Sequence, residues 1–327
     1  MNTPMPKLPT RADAPLALGG VLGLFATVGG FDALQASVFD AIAARLYDTD
    51  RSALTALEPA DLMSSEIPEA VRHQVLHLAV VLELVAHPTP VAQARAVERA
   101  AKTFGIPLAA VHAAREMADR HLVLLRADLR RSSWYAHETE REAAHGRLIE
   151  LVRSKVAYEG LEADRTIARR WETLRTCPPG SWGRGVADFY EAHRFPFPGE
   201  RHGIYEIGAL HDFVHVLAGY DSSPDGEIDV FAFIAASMPA AQGLILLAVT
   251  LGMFQTGTIH RVEGRVVKIA RENTLDDPGA VDRFADALAR GQACRVDVMG
   301  GIDHFALAPE PLDDLRTRFG IPPKAAT

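Results

Sequence analysis

The run YEIGALHDFVHVLAGY, residues 205–220, reads as one helix that closes near Gly219. Apolar Leu210, Phe213, Val214, Val216 and Leu217 surround three polar side chains, His211, Asp212 and His215. At about 100° per residue, His215 lies roughly 40° around the axis from His211, and Asp212 roughly 100° from it on the same side. The three share one arc. Two imidazoles and a carboxylate among apolar neighbours carry a large desolvation cost unless they find partners. A shared cation supplies them; the plainer alternative is a pair of ordinary core histidines beside surface carboxylates.

Downstream, Tyr220 to Pro224 form a loop in which Ser223 is placed to cap a second helix and Pro224 suits its first position. The chain turns back, so Glu227 falls in the first turn of the returning helix and faces the two histidines. The spacing is HDxxH, eleven residues, then Glu. His211, Asp212, His215 and Glu227 are therefore the candidate metal ligands, and Asp212 and Glu227 the candidate catalytic carboxylates. A mixed nitrogen and oxygen donor set suits one divalent ion of zinc, iron, manganese or cobalt rather than a thiophilic metal. In a six-coordinate ion such a set leaves positions open for water or substrate, as a catalytic site requires.

Upstream, helical spacing of apolar residues predicts helices over Phe31–Leu46, Pro68–Ala86 and Val91–Phe104, the last closing at Gly105, and a longer one from Leu108 to about Arg131. The His87-Pro88 step ends the second, because the residue before proline avoids helical angles. These make a helical bundle over 1–135. His73 and His77 stand four apart but have no third donor at compact spacing, and with His87, His112 and His121 they are read as ordinary bundle residues. A charged helix from Glu138 to Leu174 then connects to a second body, giving a connecting segment at 136–170 and a metal-binding domain at 171–327. Cys177-Pro178-Pro179-Gly180 breaks that helix. The fold class is all-α, two helical bodies, with a short β-hairpin over 258–268 turning at Glu263-Gly264.

Composition narrows the function classes. A net charge of -8 argues against a nucleic-acid partner, which needs clustered cations. The arginine-rich stretch 115–176 does not supply them, since its arginines alternate with Glu116, Asp119, Asp128, Glu138, Glu150 and Glu162 as on solvated helix faces. Two cysteines, Cys177 and Cys294, without a CxxC pair, suit a reducing cytoplasm and incidental thiols. The run Leu16–Phe31 is interrupted by Gly19, Gly20, Gly23, Gly29 and Gly30 and is too short to span a bilayer, which needs about 20 apolar residues. The apolar stretch Ala240–Phe254 reads as buried core; its other reading is the wall of a groove for an isoprenoid tail.

The HDxxH pattern with its following Glu resembles the signature of the ubiquinone (coenzyme Q) biosynthesis family usually called Coq-four. Pro179-Gly180-Ser181-Trp182-Gly183, Phe189-Tyr190, Gly226-Glu227-Ile228 and Met238-Pro239 are similar to the flanks of that motif. Pro311-Leu312-Asp313-Asp314-Leu315-Arg316 and Phe319-Gly320-Ile321-Pro322-Pro323 are similar to the family's closing helix. The resemblance covers about 171 to 323, and the segment Gln242–Asn273 departs from it. The first third looks more like a tellurite-resistance TerB-like helical module.

What the Coq-four resemblance implies is oxidative decarboxylation: loss of the ring carboxylate from a prenylated 4-hydroxybenzoate-like acid, coupled to hydroxylation of the same carbon. The expected partner is a small aromatic or isoprenoid-tailed substrate, with peripheral membrane contact and a homo-oligomer both compatible. Two further readings stay open: a zincin-like metallohydrolase in which Asp212 activates water, and a non-catalytic lipid-binding or scaffold protein stabilised by its metal. His260 is expected beside the site if the hairpin folds over it; His193, His202 and His304 have no assigned role.

Overall fold

In the computed structural model, which describes residues 11–86, 89–106, 164–201, 203, 206–239, helical positions 243, 246, 247, 250, 251, 254 and 255, and 258–262, 265–268 and 273–325, the described residues are all-α apart from one short hairpin. The expected helix at 108–131 and the connecting segment up to 163 lie outside the described residues.

Local signals place most of the elements. Helix α1 spans Ala14–Ala26 and α2 spans Ala33–Tyr47. Helix α2 opens on a reciprocal capping box: the Gln35 amide donates to Asp32 Oδ1 at 2.8 Å and the Asp32 amide to Gln35 Oε1 at 3.0 Å. Helices α3 (Glu69–Val85) and α4 (Val91–Phe104) follow, α4 closing on Gly105 at a φ of 68°. Helix α1 lies in the glycine-interrupted run, and its glycines serve packing. A Cβ on Gly20 would stand 2.7 Å from both Leu62 and Val75, and one on Gly23 would overlap the Leu57 backbone.

The charged helix read as continuous to Leu174 instead begins anew at Arg165. Asp164 caps α5 (Arg165–Glu172) by accepting from the Thr166 and Ile167 amides at 2.9 and 3.2 Å, and Ile167 and Trp171 are buried. Helix α6 is Trp182–His193, α7 Glu206–Ala218 and α8 Pro224–Ser237. Strands β1 (Thr258–Val262) and β2 (Arg265–Lys268) pair antiparallel, Val262 opposite Arg265. Helices α9 (Ala280–Ala293), α10 (His304–Leu307) and α11 (Leu312–Phe319) complete the chain.

Helix α7 packs between α6 and α8, α8 runs along α9, and α9 lies on α2. The described residues of 11–106 and of 164–325 therefore share a packed face, and their buried side chains form one contiguous cluster. The Gln255 amide nitrogen also donates to the Val85 carbonyl at 2.8 Å across that face. No helix among the described residues is long and apolar enough to cross a membrane.

Candidate metal centre

Helix α7 is held at three levels. At its start Glu206 accepts from Trp171 Nε1 at 2.7 Å and pairs with Arg170. Midway, Trp182 Nε1 donates to the Phe213 carbonyl at 2.7 Å. At its end Arg316 donates to the Leu217 and Val216 carbonyls at 2.9 and 3.1 Å, and Arg290 to the Ala218 carbonyl at 2.8 Å. Two cations thus meet carbonyls that have no partner inside the helix, where the helix dipole favours positive charge. Trp182 is itself fixed by main-chain bonds from Trp182 and Gly183 to Glu310 and Ala308. Gly183 is required there, since a Cβ would stand 2.8 Å from the Ala308 methyl and 2.9 Å from Cys177 Sγ.

The return loop is as firmly specified. Gly219 takes a φ of 77° and ends α7. Asp221 Oδ1 accepts from the Ser223 amide at 3.0 Å, and Ser223 Oγ caps α8 by accepting from the Gly226 amide at 3.1 Å. Pro224 occupies the first helical position. Gly226 lies so close to the Asp221 carbonyl that a side chain there would overlap it. Glu227 follows directly and is aimed back at α7.

These elements bring His211, His215 and Glu227 together, one ligand atom from each lying within 4.8 Å of the others. His215 Nε2 is 3.3 Å from Glu227 Oε1, and His211 Nε2 is 3.6 Å from Glu227 Oε2. Donors bound at about 2.1 Å to a zinc-like ion stand roughly 3.4 Å apart in a tetrahedron, so small adjustments suffice to seat one. Asp212 is not in that mutual set. Its Oδ1 lies 3.4 Å from His211 Nε2, while its Oδ2 accepts from the Tyr190 hydroxyl at 2.5 Å.

Both imidazoles are oriented for ligation. His211 Nδ1 faces the Gly208 carbonyl at 2.5 Å and His215 Nδ1 the Tyr220 carbonyl at 3.3 Å. A carbonyl only accepts, so each Nδ1 carries the proton and a neutral ring leaves its Nε2 lone pair toward the cluster. His215 is fully buried, and its Nε2 makes no hydrogen bond of acceptable geometry. That orphaned buried nitrogen, the carboxylate beside it and the second imidazole fit a cation. Phe231 stacks on His211 at 5.3 Å and Phe189 on His215 at 5.5 Å. The His215 side is sealed; the Glu227 side chain retains 26% exposure, so the site opens there.

Electrostatics agree with that fit. Burial pushes the His211 imidazole down, but the Asp212 charge and the hydrogen bond and charge of Glu227 outweigh it and raise it to about 10. Burial pushes Glu227 up, and the two imidazoles facing it, His211 above all, outweigh that and hold it at about 2. Burial dominates at Asp212, whose carboxyl is raised against the opposing pull of His211 and Tyr190. A proton on His211 thus supplies positive charge between the carboxylates of Asp212 and Glu227, where a cation would do the same.

Among the described residues this is the one three-donor group of its kind. His73 lies 3.9 Å from Glu69 and edge-on to His77, without a third donor. His193 bonds the Phe189 carbonyl, and His304 is buried between Trp182 and Phe213. The side chains of His202 and His260 lie outside the described residues. Cys177 and Cys294 are not joined in a disulfide. Tyr190, Phe231 and the arginines at the end of α7 were not assigned to the site by spacing, because each reaches it through packing between elements. Neither a protein-family model nor a curated protein matches the chain.

Proposed function

We propose that the chain is a metal-dependent enzyme in which His211, His215 and Glu227 hold one divalent ion and Asp212 faces it from the side. The observation that carries this is the convergence of two Nε2 atoms and a carboxylate, one of the nitrogens buried and without a hydrogen bond. Three protein donors leave open positions, the condition for chemistry rather than scaffolding. Because HDxxH and its Glu resemble the ubiquinone-biosynthesis signature, we assign the reaction as oxidative decarboxylation of an apolar-tailed 4-hydroxybenzoate-like acid. The ring carbon loses carbon dioxide, gains a hydroxyl oxygen from water and gives up two electrons; dioxygen takes them and leaves as hydrogen peroxide. The bound ion supplies a positive charge for the substrate carboxylate or phenolate. His211 and His215 keep their Nδ1 protons on main-chain carbonyls throughout, Phe189 and Phe231 exclude water from the imidazole faces, and Asp212 adds its negative charge and one oxygen to the ion's surroundings.

A second reading, a metallohydrolase with Asp212 as base, is favoured by one observation: Asp212 stands outside the mutual donor set. Asp212→Asn separates the two. Weakened metal binding, with oxygen uptake and carbon dioxide release by the parent protein, supports the decarboxylase. Unchanged metal content with ester or peptide hydrolysis that this variant abolishes supports the hydrolase. Metal analysis of protein purified without chelator, with assays under air and under nitrogen, supplies both readouts.

A further inference from the structure

The Asp212 carboxylate has two oxygens in different surroundings, and one residue decides which faces the site. The Tyr190 hydroxyl donates to Oδ2 at 2.5 Å, while Oδ1 points to His211 Nε2 at 3.4 Å. Tyr190 is buried to 1% exposure. Its ring is wedged against Phe197 at 4.9 Å, Trp171 at 5.5 Å and Phe195 at 6.0 Å. Trp171 is in turn pinned by its bond to Glu206, the first residue of α7. The phenol therefore approaches Asp212 from a wall that cannot turn, and α6 and α7 are in register at this contact.

We propose that Tyr190 is a positioning residue of the metal centre: its hydroxyl occupies Oδ2 of Asp212 and so presents the single oxygen Oδ1 to the ion. This rests on the metal reading above. A free carboxylate at this position rotates about its terminal torsion, which is broad and twofold, and can turn either oxygen or both toward a cation. Partners of this kind around ligating or adjacent groups change metal affinity about 10- to 100-fold when removed. Nothing in the helical spacing of α7 signals the contact, because Tyr190 and Asp212 are 22 positions apart and meet only through packing of α6 on α7.

The test is a cycle on the full-length chain, reading zinc and cobalt affinity by competition with a chromophoric chelator. Tyr190→Phe removes the donor and keeps the ring in its aromatic wall. It is expected to bind about tenfold more weakly and to alter the visible spectrum of bound cobalt. Tyr190→Phe combined with Asp212→Ala is expected to bind no more weakly than Asp212→Ala alone, because Tyr190 acts through Asp212. Parental affinity and cobalt spectrum in Tyr190→Phe, or losses that multiply in the double variant, overturn the proposal. If the phenylalanine variant does not fold, 3-fluorotyrosine at 190 serves, since its more acidic phenol strengthens the same bond: a shifted cobalt spectrum supports the proposal and an unmoved one overturns it. A chain that binds no ion overturns the metal reading along with it. An ion bound by the parent and lost in His211→Ala leaves the metal reading standing whatever Tyr190 does.

Discussion

Arg290 donates to the Tyr220 hydroxyl at 2.7 Å, and the same guanidinium holds the Ala218 carbonyl at 2.8 Å and the Pro322 carbonyl at 3.0 Å. Tyr220 in turn supplies the carbonyl that orients His215. A buried cation on α9 thus fixes the turn that orients His215 on α7. Replacing Arg290 by leucine leaves the buried Tyr220 hydroxyl and Ala218 carbonyl without that donor, each worth about 1 to 3 kcal/mol when unsatisfied. Urea unfolding is expected to show a loss of about 3 kcal/mol, and metal affinity is expected to fall with it. A variant as stable as the parent would show that the turn is held by other contacts.

His211→Ala, His215→Ala and Glu227→Ala are each expected to lower bound metal well below one ion per chain, while His73→Ala leaves it unchanged. The contrast is built into the geometry. The first three donors converge within 4.8 Å, whereas His73 has only Glu69 at 3.9 Å and the edge of His77. Elemental analysis of chelator-free protein checks this, and full metal content in the first three variants would remove the site.

His211 gives the centre a defined pH response. Its folded value near 10 stands above the ordinary 6.5, so its ion pair stabilises the metal-free protein fully below about 6.5 and is lost as pH rises through about 10. Glu227, held near 2 against an ordinary 4.5, contributes above about 4.5 and is lost as pH falls through about 2. An ion must displace the His211 proton to bind. Zinc affinity is therefore expected to rise about tenfold per pH unit between 7 and 8.5, one proton being released per ion. Melting of the metal-free protein should move down between pH 7 and 10. Chelator competition at three pH values reads the first expectation, and a flat affinity profile would contradict it.

Helical spacing carried much of this fold because its rules act within a turn. The cap at Ser223, the stop at Gly219, the close of α4 at Gly105 and the arc of His211, Asp212 and His215 all depend on residues up to four positions apart. Glu227 was readable for the same reason, since a short capped loop allows the chain only one way back. Helix α1 was not, because its glycines read as interruptions until the backbone at Thr55–Leu57 is seen against them. Nor were the bonds from Tyr190 to Asp212 and from Arg316 to Leu217, which span 22 and 99 positions and exist only once helices have packed. Asp212 shows the division most clearly: its place on the arc follows from helix geometry, and the direction of its oxygens follows from α6.

Gly226→Ala tests whether the return loop, rather than the ligands alone, makes the centre. The residue precedes Glu227 and donates its amide to Ser223 Oγ at 3.1 Å, inside a turn whose Asp221 carbonyl occupies the space a Cβ would need. Asp221 cannot yield easily, because its Oδ1 is held by the Ser223 amide and hydroxyl. The added methyl must push the start of α8 away from the loop, and Glu227 moves with it. Every ligand remains in the sequence, so a centre defined only by residue identity would keep its ion. Alanine is the better helix former by about 1 kcal/mol, which would favour the variant if the position were unconstrained. The expected outcome is the reverse: lower stability in urea, and zinc bound at least tenfold more weakly, because a carboxylate displaced by even about 1 Å leaves the roughly 2.1 Å bonding distance of a first-row ion. Gly279→Ala, at a positive-φ glycine before the start of α9, where the nearest side-chain atom is 3.6 Å away, controls for general loss of stability and should leave affinity unchanged. Parental zinc affinity in Gly226→Ala would show that Glu227 reaches the histidines without the constraint of the turn.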